Sequence, residues 1–325
     1  MVFPAFKIFP ENRESHKSNE FKIEPETRKN EILSLIESGL EDVSFSRPRK
    51  DLSWGIPVPD DPDSTIYVWC DALANYISAV GYADENGQFA KWWPADVHVI
   101  GKDILRFHAA IWPAMLLSAG LDLPKSLFVH GHITVNGRKM SKTIGNIIDP
   151  VELVNKYGVD AARYFLLREI PSAEDGDFSY KKFEDRYNGD LANGLGNFSA
   201  RIVSLAKKYL GKENIEVPNV IVVRAIENAE KIVAQKINEF KLHEALAAVW
   251  ELIGFGDRYL NEHEPWHTGD KRIIFNAVFL LDRLTEILRP FLPSTAEKLR
   301  QSVSVRNNIV EIKKSGILFP RLPRT

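Results

Sequence analysis

At 325 residues, with 44% hydrophobic and 26% charged side chains and a formal net charge of −2, the chain has the composition of an ordinary globular protein of two or three domains. The near-neutral balance excludes a global positive field, so any nucleic-acid contact must come from local basic patches. The single cysteine, Cys70, excludes a disulfide framework and a multi-thiolate zinc site; with no leader pattern and no apolar run of bilayer-spanning length, it points to a cytoplasmic protein that does not enter membranes.

Residues 1–21 carry mixed charge and no sustained period, and are expected to form an irregular arm. After Pro25, Ile32, Leu33, Leu35, Ile36 and Leu40 fall near helical spacing, which predicts an amphipathic helix over residues 26–40. Thr65-Ile66-Tyr67-Val68-Trp69 is short, apolar and β-branched, as in a buried parallel strand, with a helix expected from Asp71. Trp69 then sits at a strand end, with Ala72, Leu73 and Tyr76 at helical spacing beyond it. Such side chains either converge on a small molecule or simply pack. Asp96-Val97-His98-Val99-Ile100 predicts a second strand, and residues 102–119 a helix whose Ile104, His108, Trp112 and Met115 line one face. His108 in that stripe is either a core histidine or a ligand contact; the adjacent Gly101-Lys102-Asp103 turn favours the ligand role.

Residues 126–135 read as a buried strand feeding Asn136-Gly137-Arg138-Lys139-Met140-Ser141-Lys142-Thr143. Three cations and two hydroxyls behind an Asn-Gly turn suit a loop that folds over polyphosphate better than a packed segment. Asp149, Pro150 and Glu152 then form a helix start. A strand, a basic loop and a helix in series is where α/β folds place phosphate chemistry. Residues 151–157 and 159–169 predict short helices around Gly158, and a domain boundary is placed at Phe178. Beyond it Phe183, Tyr187, Leu191, Leu195, Phe198, Ile202 and Leu205 predict one amphipathic helix of about eight turns. Further helices are expected at 222–240, 242–261, 272–288 and 293–301, forming a bundle. The fold class is therefore α/β followed by all-α. Asn193, Asn197 and Arg201 share a polar face of the long helix. Trp266, expected in a loop after Pro265, either meets a partner or plugs a gap between helices.

Lys139-Met140-Ser141-Lys142-Thr143 resembles the second signature of class I aminoacyl-tRNA synthetases, whose lysines stabilise the pyrophosphate that departs when an amino acid is adenylated. The stretches from Tyr67 to Tyr76, Gly101 to His108, Trp112 to Met115, Asp175 to Ser179 and Leu318 to Arg321 are similar to methionyl-tRNA synthetases, and the likeness runs from Lys22 to Arg321. It implies the carboxyl-terminal part of a Rossmann-like catalytic domain over residues 22–178 and an α-helical anticodon-binding domain over 179–325. It further implies ATP-dependent activation of methionine and its transfer to methionine tRNA. Lys139, Ser141 and Lys142 would be catalytic. Gly101, Asp103, Lys139, Met140 and Lys142 would bind ATP, a substrate that brings Mg²⁺ bridging its phosphates. Trp69, Ala72, Leu73, Tyr76, Ile104 and His108 would surround the methionine side chain, and Asn197, Arg201 and Trp266 would read the anticodon. No protein-bound zinc is expected.

The sequence departs from that family in three respects. Cys70 stands where Phe or Leu is common. No His-Ile-Gly-His type motif is present, because His130-Gly131-His132-Ile133 has the wrong order and belongs to the strand ahead of the lysine loop. The opening strands of the nucleotide fold, the acidic residue for the methionine amino group and the inserted domain are also missing. The chain is thus expected to be a carboxyl-terminal portion, either a fragment or a separately encoded half, that becomes active when the missing half is supplied; the alternative is an inert anticodon-binding module. The family's appended dimerising domain is absent too, so a monomer is expected. The stretch from Trp69 to Tyr76, together with His108, disfavours a leucine- or valine-specific relative.

Overall fold

A computed structural model describes residues 2–3, 21–39, 43–211, 218–306, 309–312 and 316–323. The expected N-terminal arm lies outside them except for residues 2–3 and 21. Contacts divide the chain into two compact units, Met1–Gly131 and His132–Thr325.

The first unit runs β1 (Lys22–Glu24), α1 (Glu26–Glu37), β2 (Ser46–Pro48), β3 (Pro57–Val58), β4 (Asp61–Ile66), α2 (Val68–Ser78), β5 (His98–Gly101), α3 (Trp112–Ser118) and β6 (Ser126–His130). Among the described residues β1, β6 and β5 form a parallel sheet in that order, with Ile23 opposite Leu127 and Ile100 opposite Val129. Helix α1 buries Ile32 and Ile36 against these side chains and Leu105 and Ala109. Full burial of each such aliphatic side chain contributes about 1.5 to 3 kcal/mol.

Two sequence expectations change here. Strand β4 ends at Ile66 and is antiparallel to β2 and β3 rather than part of the parallel sheet. Tyr67 is the extended N-cap of α2 and donates its N–H to the Phe45 carbonyl, so Val68 and Trp69 begin the helix. The β-branched run is strand-like locally, but packing of Trp69 and Leu73 beside Phe45 and Trp112 overrides that propensity. The helix expected over residues 102–119 is also not uniform. It opens as a 3₁₀ turn at Lys102–Ile104, passes through a π-helical stretch at Phe107–Ile111 and becomes regular only in α3.

The second unit contains β7 (Ile133–Val135), β8 (Arg138–Lys139), α4 (Pro150–Tyr157), α5 (Val159–Glu169), β9 (Gly176–Phe178), α6 (Tyr180–Arg186), a π-helical segment (Tyr187–Gly196) and α7 (Asn197–Tyr209). There follow α8 (Val220–Asn238), α9 (Leu242–His263), α10 (Pro265–Thr268), α11 (Lys271–Leu288), α12 (Pro293–Ser302) and a hairpin of β10 (Val303–Arg306) and β11 (Ile309–Ile312) that the sequence did not suggest. The single strand expected over residues 126–135 is two strands in two sheets: β6 pairs with β1 and β5, whereas β7 pairs with β8 and β9. The change of sheet occurs at His132, whose N–H donates to Asp175 Oδ1 at 2.8 Å.

The division between the two compact units falls ahead of the lysine loop. Leu153, Tyr157, Tyr164, Phe165 and Phe178 share one apolar core with the bundle helices. Asp160 Oδ2 accepts from the Thr295 N–H, and Arg163 donates to the Pro290 and Phe291 carbonyls. These bonds tie α5 to the start of α12. The long amphipathic helix is continuous from α6 through α7, with the ten-residue π segment inside it. No helix among the described residues is long and apolar enough to cross a membrane.

Candidate functional site

Helix α2 sets Trp69, Ala72, Leu73 and Tyr76 at positions i, i+3, i+4 and i+7, which is one face of a helix. Leu73 is fully buried, Trp69 is half-buried, Ala72 is exposed, and Tyr76 is partly exposed with its ring packed on His98. Trp69 stacks on Phe107 with ring centroids 4.1 Å apart and meets His108 edge-on at 6.0 Å. Tyr76 stacks on His98 at 4.2 Å and meets His108 edge-on at 5.6 Å. Phe107 and His98 were not singled out as site residues, although each lies inside a stretch that was quoted, Gly101 to His108 and Asp96 to Ile100. The apolar stripe through Ile104, His108, Trp112 and Met115 is divided. The π turn advances the register, so Ile104 packs with Ile100 and Leu105 while Trp112 and Met115 pack with Leu73. Ile104 still meets His108, through its carbonyl.

That contact fixes the histidine chemistry. The Ile104 carbonyl can only accept, so His108 Nδ1, 3.0 Å away, carries the proton. Burial holds the His108 pKa below its ordinary value, so the ring is neutral near pH 7 and Nε2 is an acceptor. Tyr76 Oη, 3.0 Å from Nε2, therefore donates to it. The result is an aromatic cluster whose polar edge carries no charge.

His98 behind Tyr76 is only 5% exposed. Burial, and secondarily the neighbouring His108, push its pKa down from 6.5 to about 4. The unfolded chain thus takes up this proton before the folded one. The stability that His98 contributes is full above about pH 6.5 and is lost as pH falls toward 4. The expected loss is at most about 3 kcal/mol. Urea titrations at pH 7.5 and 5 should show wild type losing more stability on acidification than His98→Phe, which keeps a ring against Tyr76 but cannot titrate. Equal losses would remove His98 as the cause.

In the second unit, Asn136 and Gly137 turn the chain with φ of 51° and 72°, the left-handed pair that an Asn-Gly hairpin turn requires. Lys139 lies on β8, opposite Thr134 of β7. Asp177 on β9 holds the root of this hairpin: its Oδ1 accepts from the Gly137 N–H at 2.6 Å and the Thr134 hydroxyl at 2.8 Å. These bonds hold its carboxyl below the usual range. Asn146 closes the loop, accepting from the Ser141 N–H at 2.8 Å and donating to the Lys139 carbonyl at 3.1 Å. Lys139 and Lys142 are exposed, and neither ammonium has an ion-pair partner among the described residues. The stretch Asp175 to Ser179 thus has a mechanical meaning: Asp175 fixes the sheet switch and Asp177 the turn. Asp177→Ala is expected to speed amide exchange over residues 136–142 about tenfold while leaving the helical core unchanged; unchanged exchange in the loop would show that Asp177 does not anchor it.

The third group lies on the bundle. Asn193, Asn197, Arg201, Ser204, Lys208 and Trp266 line an open cavity of about 680 Å³. Arg201 donates to Asp257 Oδ1 at 2.6 Å and Asn261 Oδ1 at 2.8 Å, and its guanidinium lies 5.2 Å from the Trp266 ring centroid. Trp266 is not in a loop. It belongs to the short helix α10, which follows a left-handed Glu264; Tyr209 Oη donates to its carbonyl at 3.1 Å. Trp266 is partly buried against the core and also lines the cavity.

The chain is similar to known proteins along most of its length. The family model described as tRNA synthetases class I (M) matches residues 5–203, and that of the anticodon-binding domain of tRNA ligase matches residues 221–323. The chain belongs to the methionyl-tRNA synthetase family. It is 42% identical over 315 residues to the methionine–tRNA ligase of Thermotoga maritima, an alignment covering 92% of this chain and 49% of that protein. It is 40% identical over 331 residues to the ligase of Caldanaerobacter subterraneus subsp. tengcongensis, covering 92% and 51%. The Mycobacterium tuberculosis methionyl-tRNA synthetase in complex with methionyl-adenylate superposes with a TM-score of 0.91 at 34% identity, covering 98% of this chain and 68% of that one. The chain spans about half the length of the curated relatives it matches. The aromatic cluster, the lysine loop and Arg201 fall within residues 5–203, and Trp266 within residues 221–323.

Proposed function

We propose that these residues supply the methionine pocket, the lysine loop and the anticodon-reading face of a methionine–tRNA ligase. The observation that carries the proposal is the neutral Tyr76–His108 pair beside Trp69. A thioether has no charge and is a weak acceptor, so it suits a site walled by aromatic rings whose polar edge is uncharged. Trp69, Ala72, Leu73 and Tyr76 would border that site, with Ile104 setting the His108 tautomer. The relative solved with methionyl-adenylate supports the same reading.

Attack of the methionine carboxylate on the α-phosphorus of ATP displaces pyrophosphate. Catalysis is then positioning plus neutralisation of charge on the leaving group. Lys139 and Lys142 would meet that charge, with the Ser141 hydroxyl and Met140 backbone beside them. Gly101 and Asp103 would lie toward the ribose; a Cβ at Gly101 would come within 2.8 Å of Asp103 Oδ1 and displace that carboxylate. Mg²⁺ would enter with ATP and offset charge on its phosphates, and no zinc is assigned to these residues. Asn197, Arg201 and Trp266 would read the anticodon of methionine tRNA. The reading includes a cytoplasmic monomer, which light scattering checks.

The 325 residues contain no His-Ile-Gly-His type motif. Adenylation would therefore need that phosphate-gripping element from residues outside these, in the same or a separate polypeptide. The test is methionine-dependent exchange of labelled pyrophosphate into ATP, with and without the N-terminal half of a relative. Exchange that appears on complementation and vanishes in Lys142→Ala supports the ligase. No exchange in either arm, with anticodon RNA still bound, favours an RNA-binding module.

A further inference from the structure

A separate cavity, of about 310 Å³, opens between α4 and α6 and shares no residue with the three groups described above. It is lined by Glu152, Leu153, Lys156, Tyr157, Tyr180 and Glu184. Its walls are anchored to the core. Tyr157 is buried, packs on Phe183 with ring centroids 4.7 Å apart and donates its hydroxyl to Glu184 Oε1 at 2.5 Å. Tyr180 meets the buried Phe178 edge-on at 5.3 Å. One ammonium already lies against these groups: Lys156 Nζ is 4.7 Å from the Tyr157 ring centroid, 5.7 Å from that of Tyr180 and 3.9 Å from Glu184 Oε1. An alkylammonium over tyrosine faces with a carboxylate at its side is held by cation–π attraction and charge pairing together. Lys156 does not exhaust that capacity. Glu152, on the first turn of α4, has no ion-pair partner among the described residues, so the lining sets two carboxylates against one cation.

We propose that this cavity binds a linear polyamine, whose ammonium groups are joined by short methylene chains. One ammonium takes the place of the Lys156 head between Tyr157, Tyr180 and Glu184, the methylenes run past Leu153, and a second ammonium meets Glu152. The amine and Lys156 therefore compete for one cage. A bound amine also bridges α4, the helix that follows the lysine loop, to α6.

The full chain is titrated with spermidine at fixed ionic strength by calorimetry. Lys156 and Tyr180 are exposed and Glu184 is half-buried, so Lys156→Met, Tyr180→Leu and Glu184→Gln leave the core intact, which circular dichroism checks. Tyr180→Leu and Glu184→Gln are each expected to weaken binding about three- to fivefold. Lys156→Met should tighten it by a similar factor, because the tethered competitor is gone. Spermidine should also slow amide exchange over residues 150–157. No binding, binding that Tyr180→Leu leaves unchanged, or a Lys156→Met variant that binds no tighter would each overturn the site. Displacement of spermidine by Mg²⁺ at equal charge would overturn it too, by showing a counter-ion only. A lysine-bearing peptide that depends on Tyr180 and Glu184 in the same way but binds more tightly than spermidine would overturn the free amine as occupant and make the cage a contact for a partner's lysine.

Discussion

Lys142→Ala is expected to lower methionine-dependent pyrophosphate exchange by about a hundred- to a thousandfold once the missing phosphate-gripping motif is supplied. The ammonium is exposed and lacks an ion-pair partner among the described residues, so its charge is not spent within the fold. The leaving pyrophosphate gains charge in the transition state, and a cation that meets it there acts on kcat. Lys139→Ala should cost a comparable factor, because its backbone is held on β8 and its side chain alone is lost. Asn146→Ala should cost less, about tenfold: it loosens the bonds to Ser141 and Lys139 without deleting a charge. The methionine KM should hardly move in any of the three. A raised methionine KM with unchanged kcat for Lys142→Ala would mean that the loop binds substrate rather than stabilising the departing phosphates.

Much of this site was legible in the sequence because its signals are local. An Asn-Gly pair reverses the chain whatever surrounds it, and Asp149 caps α4 as its position before Pro150 predicts. The face shared by Trp69, Ala72, Leu73 and Tyr76 followed from spacing alone, even though the strand assigned to Trp69 was wrong. What the sequence hid depends on contacts distant along the chain. Nothing near Thr65 reveals that β4 is antiparallel to β2, or that Tyr67 is anchored to Phe45. The π turn at Phe107–Ile111 has no signature in a pattern read at a 3.6-residue period, yet it separates Ile104 from Trp112 and leaves the Ile104 carbonyl to orient His108. The partners of Arg201 lie on α9, 56 and 60 residues away, and helical periodicity cannot pair helices with each other.

Those two partners set the second large effect. Arg201→Ala is expected to weaken binding of an anticodon hairpin by about 1 to 3 kcal/mol, or roughly ten- to a hundredfold. Arg201→Lys should be nearly as damaging. A guanidinium has five N–H donors in a rigid plane; here one goes to Asp257 and one to Asn261, and the rest face the cavity. Lysine keeps the charge but cannot hold both anchors while still presenting donors beside the Trp266 ring. Were Arg201 acting only as a positive charge near phosphate, lysine would restore affinity and the alanine variant would lose salt dependence. If it positions donors on a base, lysine fails, the salt slope stays nearly constant in both variants, and discrimination between hairpins differing at one anticodon base falls with affinity. Fluorescence anisotropy at several salt concentrations separates the two. Asp257→Asn sharpens the comparison: it removes a negative charge near the RNA, so a purely electrostatic role predicts tighter binding, whereas a positioning role predicts weaker binding because the guanidinium loses its strongest anchor.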